Sequence, residues 1–277
     1  MKHLTPLFVV AFVTTLAPLA SATPRPLPFT YTYDTLGEGE LEIEQYADYT
    51  PIKANDLASG VPAWYGATIL QTEFEYGITN KLELGLYVSF IPTSQAVSYV
   101  PTSSFLEGNG IKQRLRYRLA EEGEWPIDVA LYGELVENDH EVELEGKIIL
   151  QRRIAKLRIA ANLWAEREVY FQADPVTHKT QQDWVLNPTL GATYEITPTF
   201  HPGVEGWAHI EYPNSDPHPR PYNLGPMVYV GPAMLFNFGK FWWSTGAYVR
   251  TTTTNHDLQV GDAFGNYWVR MVVGVEL

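Results

Sequence analysis

The sequence predicts an all-β chain, folded as a single transmembrane antiparallel up-and-down barrel of about twelve strands. Three observations predict it. Segments of period two recur through residues 38–277, at a spacing of roughly twenty residues. In most of them one parity carries no charge and the other carries nearly all of it. The connections between them alternate between short and long, which a barrel with turns at one rim and loops at the other requires.

The hairpin at 73–90, "EFEYGITNKLELGLYVSF", shows the pattern most clearly. Phe74 and Tyr76 alternate with Glu73 and Glu75, and after a Gly-Ile-Thr-Asn turn Leu82, Leu84, Leu86 and Val88 alternate with Glu83, Gly85 and Tyr87. In chain order the predicted strands are 38–50, 63–77, 81–91, 109–120, 126–136, 141–151, 156–169, 182–197, 199–212, 226–238, 240–252 and 265–277. No stretch keeps helical spacing for more than about two turns. The charge-free face of the fourth strand is Ile111, Gln113, Leu115, Tyr117 and Leu119, and that of the fifth is Ile127, Val129, Leu131, Gly133 and Leu135. The tenth strand has two apolar faces. Pro188, Pro202 and Pro232 fall inside strands eight to ten, where bulges or a broken ladder are expected because proline cannot donate.

The long connections are 51–62, 92–108, 170–181, 213–225 and 253–264, and the short ones 78–80, 121–125, 152–155, 197–198 and Gly239. The link 137–140 is short where the pattern wants a long one. An even strand number puts both ends of the barrel on the short-turn, periplasmic side. Strand lengths near the ~9–11 residues that cross a bilayer, and a charge-free parity, place the apolar face in lipid and the charged face in the lumen. Tyr49, Trp64, Phe90, Trp184 and Tyr212 form one expected aromatic girdle. Tyr76, Tyr117, Trp125, Tyr194, Phe241 and Trp243 form the other. On this assignment Leu84→Arg cripples insertion and Glu83→Arg is much milder, since only the first puts charge in hydrocarbon.

Residues 1–22 read as a secretory signal peptide: Lys2 and His3, an apolar run from Leu4 to Ala20, then Ala20-Ser21-Ala22 as a cleavage pattern. Residues 23–37, beginning "TPRPLPFTYTYD", read as an extended proline-rich leader, and 38–277 as the barrel. There is no cysteine, which removes zinc-thiolate, thiol and iron–sulfur chemistry. A net charge of −13 argues against a nucleic-acid partner.

These features together resemble a Gram-negative outer-membrane β-barrel, over roughly 38–277. The resemblance implies integral residence in the outer membrane, contact with its lipid, and help from the barrel assembly machinery. Such proteins commonly end in Phe or Trp, from which Leu277 departs. The 73–90 hairpin is similar to hairpins of barrels associated with aromatic-compound (phenol meta-pathway) degradation.

The residues expected to line the lumen are Glu73, Glu75, Glu83, Lys112, Arg114, Arg116, Arg118, Asp128, Glu134, Glu143 and Arg158. Lys112, Arg114, Arg116 and Arg118 form a basic stripe on one strand, with Glu83, Asp128 and Glu134 on its neighbours. Two readings stay open: a cross-strand zipper that neutralises the interior, or a ladder along a pore. Facing opposite charges normally pair, which favours the zipper. His201, Glu205 and His209 share a parity, but residues four apart on a strand lie ~13 Å apart, too far for one metal ion. His140, His178, His218 and His256 fall in or beside long-side connections and read as solvated. No Gly-x-Ser-x-Gly, His-Glu-x-x-His or P-loop occurs, so no catalytic residue, metal or cofactor is expected. The expected function is passage of a small solute. The alternatives are a closed structural or ligand-binding barrel, and a lipid-modifying enzyme.

Overall fold

The computed structural model describes residues 23–56, 62–90, 110–138, 141–173, 178, 180–213, 226–252 and 265–277. Its strands are β1 (Leu41–Asp56), β2 (Pro62–Gly77), β3 (Leu82–Phe90), β4 (Gly110–Arg118), β5 (Asp128–Asn138), β6 (Glu141–Ile154) and β7 (Leu157–Ala173). They continue as β8 (Thr180–Leu186), β9 (Thr189–Tyr194), β10 (Phe200–Pro213), β11 (Met227–Asn237), β12 (Phe241–Arg250) and β13 (Tyr267–Glu276). Each pairs antiparallel with its neighbours, and β13 returns to β1 through Glu276↔Glu42 to Val269↔Tyr49, closing the sheet.

β8 and β9 are two halves of one strand, since both lie between β7 and β10. The barrel therefore has twelve strands, and the predicted strand 182–197 covers both halves. The break falls at Asn187-Pro188, where proline withholds its rung. Pro202 shows neither a bulge nor a break: it pairs with Met234, and Pro232 with Val204, in unbroken register. On its other side Pro232 meets the expectation of a broken ladder, since β11–β12 has no rung between Val230↔Val249 and Ala233↔Gly246, though the register does not shift. Proline's fixed φ suits an extended strand, so each costs a hydrogen bond rather than a register.

Two predicted long connections prove to be largely strand. β1 runs on to Asp56 and β2 starts at Pro62, with a register shift between Thr50 and Lys53. β7 runs to Ala173 and β8 starts at Thr180. Main-chain pairing stabilises a hairpin whether or not lipid surrounds it. The predicted loops 92–108 and 253–264, nearly all of 213–225, and the expected signal peptide lie outside the described residues.

Parity sorts the side chains as expected. Leu84, Leu86, Val88, Leu115, Leu131, Leu135, Ile148 and Leu163 point outward and are exposed, while Glu42, Glu44, Glu73, Glu75 and Glu83 are buried inside. Tyr49, Trp184 and Tyr212 of one girdle and Tyr76, Tyr117, Trp125, Tyr194 and Phe241 of the other are exposed on the outer surface, whereas Trp243 is half-buried. The side chains of Trp64 and Phe90 lie outside the described residues.

The interior is filled. Residues 25–33 are buried without joining any ladder. This leader enters at the short-turn rim, where the Thr23 amide donates to Glu42 (3.2 Å). It climbs to Phe29 and Thr30, then descends to Leu36, whose amide donates to Glu83 (2.8 Å) near the same rim. Gly39, at φ +82°, turns it into β1. A β-carbon on Gly191 would sit 2.7 Å from the Leu27 side chain, so glycine makes room for the leader there.

Candidate functional site: a lumen threaded by its own leader

On one wall, β2, β3 and β4 carry charge of both signs inward. The Arg114 guanidinium donates to Glu73 (2.5 Å), Glu83 (2.6 Å) and Glu75. Arg116 donates twice to Glu83, at 2.7 and 2.9 Å. Both arginines and all three glutamates are buried. Pairing and hydrogen bonding keep such charges tolerable away from water. The basic stripe is thus a zipper at its centre, with partners drawn from β2 as well as β3.

The rest of the stripe behaves differently. Lys112 is half-buried, 3.7 Å from Glu134, whose carboxylate also accepts from Tyr132 (2.5 Å). Arg118 lies at the turn, donating to the Asn80 carbonyl. Asp128 is not a partner of the stripe: its carboxylate accepts the Gly123 amide (2.6 Å) and secures the β4–β5 turn. Glu143 is half-buried and faces inward on β6. Arg158 reaches the leader, donating to Asp34 (2.8 Å). All eleven predicted lining residues face the interior, but those deepest within it are locked together. This changes one expectation: Glu83→Arg adds a third guanidinium where two meet one carboxylate, so it is severe, not mild.

On the other wall the barrel binds the leader's main chain. Glu205 on β10 accepts the amides of Phe29 (3.0 Å) and Thr30 (2.5 Å), and also the Tyr248 hydroxyl. Asn162 on β7 reads Tyr31 twice, accepting its N–H (2.8 Å) and donating to its carbonyl (3.0 Å). Gln151 on β6 accepts the Tyr33 amide (3.1 Å). Phe29 packs among Trp207, Tyr229, Tyr248 and Trp268, with Trp207 stacked at 4.6 Å. The Tyr31 and Tyr87 hydroxyls meet at 2.7 Å. Leu27 packs against Ala160 and Ala233. Strand β11 therefore has two apolar faces because one meets lipid and the other meets Leu27 and Phe29. The sequence carried a signal for this: Phe29, Tyr31 and Tyr33 alternate with Thr30, Thr32 and Asp34, a strand-like period in a segment read only as proline-rich.

Two cavities flank the leader. The one towards the long loops, about 160 Å³, has Phe29 in its lining with Lys112, Glu143, Glu166, Glu168 and Trp268. The one at the short-turn rim, about 270 Å³, is lined by Pro24 and Pro26 with Arg153, Lys156, Arg158 and His201. Glu44, Glu73 and Glu75 bring oxygens within 4.8 Å of one another, but Arg25 and Arg114 already supply the counter-charge. The expected histidine arrangement on β10 does not form a site. Glu205 holds the leader, and His209 shares a hydrogen bond with Asn187 (2.8 Å). His178 is exposed, and His140, His218 and His256 lie outside the described residues.

A closed twelve-stranded barrel with an apolar outer face and a charged interior has the fold of a transmembrane β-barrel of the outer-membrane kind. The chain belongs to the family of unknown function DUF6662, whose model matches residues 20–256. No curated protein matches it. Among solved structures it is similar to the NanC porin, at 10% identity over 86% of this chain and 100% of that one, with a TM-score of 0.58. Weaker likenesses are to a TodX deltaS2S3 mutant monoaromatic hydrocarbon channel (10% identity, 86% and 90% covered, TM-score 0.42) and to the Ralstonia pickettii toluene transporter TbuX (10% identity, 87% and 90% covered, TM-score 0.39). At this identity the NanC likeness speaks for the fold alone.

Proposed function

We propose that the protein is an integral outer-membrane channel for a small solute, closed in this conformation by residues 23–37. Its partners on this reading are the lipid around its apolar belt, the assembly machinery that inserts it, and the solute. No catalytic role is assigned. The observation that carries the reading is the pair of polar cavities, one at each end, separated by a segment that joins no ladder. Removing a segment held by side chains leaves every strand pairing of the wall intact, so a path can open without unfolding the barrel.

Conductance in planar bilayers tests this. Glu205→Ala with Asn162→Ala, which loosens the leader, should raise conductance well above that of the parent. Silence from both folded proteins would favour a closed structural barrel.

A further inference from the structure

The leader's contacts differ in kind from those of a strand in a sheet. A strand satisfies its amides and carbonyls against other main chain. Here the wall supplies side chains instead. Glu205 takes two consecutive amides, Asn162 takes both the N–H and the C=O of Tyr31, and Gln151 and Glu83 take the amides of Tyr33 and Leu36. Main-chain groups are read along the segment, and the alternate side chains enter two pockets, one for Phe29 and one that Tyr31 and Tyr33 share with Ala130, Tyr132 and Ile149. Phe29 enters the ring of Trp207, Tyr229, Tyr248 and Trp268. Tyr31 packs against Tyr132, and the Tyr33 hydroxyl donates to the Ala120 carbonyl. Main-chain hydrogen bonds for affinity and alternating pockets for specificity are how proteins bind extended peptides.

We propose that the lumen is a binding site for an extended polypeptide, with residues 23–37 as its resident ligand. The ligand class is a peptide with aromatic residues at alternate positions, small hydroxyl residues between them, and a proline-rich start. A free peptide of that chemistry takes the site once the resident segment leaves. This does not depend on whether the barrel conducts.

The test keeps the whole chain. A protease recognition sequence is inserted between Glu38 and Gly39, both exposed at the turn into β1. The protein is folded intact and then cut. A fluorescent peptide of residues 23–38 is added, alongside a scrambled peptide of the same composition. The expected result is release of the cut segment and saturable binding of the native-order peptide at one per barrel, with the scrambled peptide binding at least tenfold more weakly. Asn162→Ala should weaken the native-order peptide by roughly tenfold or more, since two main-chain hydrogen bonds are lost. The proposal is overturned if the cut segment stays in place up to the temperature at which the barrel unfolds, because it is then core and not ligand. Departure with no rebinding of the native-order peptide overturns it too, as does equal binding of the scrambled one. The comparison of the two peptides stands on the parent lumen even if Asn162→Ala does not fold.

Discussion

On the β2–β4 wall, Arg114 and Arg116 meet Glu73, Glu75 and Glu83 side chain to side chain, and Glu83 also accepts the leader's Leu36 amide. On the facing β6–β12 wall, Gln151, Asn162 and Glu205 meet the main chain of the leader, and aromatic rings take its side chains. The first wall pairs its buried charges mostly with one another, leaving Nε and Nη1 of Arg116 without a hydrogen-bond partner. The second is incomplete until residues 23–37 fill it. A charge cluster needs partners of fixed number and geometry, and adjacent strands can supply them. An apolar hollow needs only volume and hydrogen-bond partners, which a separate segment can bring. The difference teaches that one lumen holds two kinds of filling, a charge cluster built from the wall itself and a separate segment, which on the proposal above can leave.

The largest expected effect attacks the charge-paired wall. Arg114→Gln with Arg116→Gln strands three buried carboxylates and should cost about 3–5 kcal/mol of stability, measured as a fall in the urea midpoint of the folded barrel in detergent. The reversal potential of any residual current should not move. Undiminished stability with a shift towards cations would mean that the arginines line a wet pore, and the contrast between the walls would be lost.

A smaller effect tests the wall that holds the leader. Asn162→Ala leaves the N–H and C=O of Tyr31 without their partner and should cost about 1–3 kcal/mol. The loss should be local, with residues 23–37 becoming open to proteolysis while the barrel keeps its unfolding midpoint in urea. If the whole barrel falls with the leader, the two walls are one cooperative unit.

The smallest effect is titratable. Burial alone would raise the Asp34 carboxyl, but the Arg158, Arg153 and Arg116 charges outweigh it and hold the group below its ordinary range. A depressed folded value contributes stability above the unfolded value of about 3.9, and that contribution is lost as pH falls through the lower folded value. The difference in the rate of proteolysis of residues 23–37 between the parent and Asp34→Asn should therefore be constant above pH ~5 and close below pH ~4. A difference that does not change with pH would make the Arg158–Asp34 contact a geometric brace rather than an ion pair.

The strand count and the outward face were legible in the sequence, because period two is a local property. Leu84 and Glu83 must point opposite ways in any strand, and a run of such strands leaves lipid as the solvent of the charge-free side. The inward direction of Arg114 followed from the same parity. Its partners did not. Glu73 and Glu75 lie on β2, two strands away from β4, and only the curvature and register of the closed sheet bring them to one guanidinium. The leader shows the limit most plainly. Its aromatic alternation could mark a strand, a rim segment or a ligand, since period two says which side chains share a face and not what the face meets. Gln151 and Asn162 come from the adjacent strands β6 and β7 and Glu205 from β10, all more than a hundred residues from the leader in the chain, and they meet Phe29 to Tyr33 only because the barrel closes around them. Alternation is set residue by residue, whereas convergence across a lumen exists only once the last strand has paired with the first.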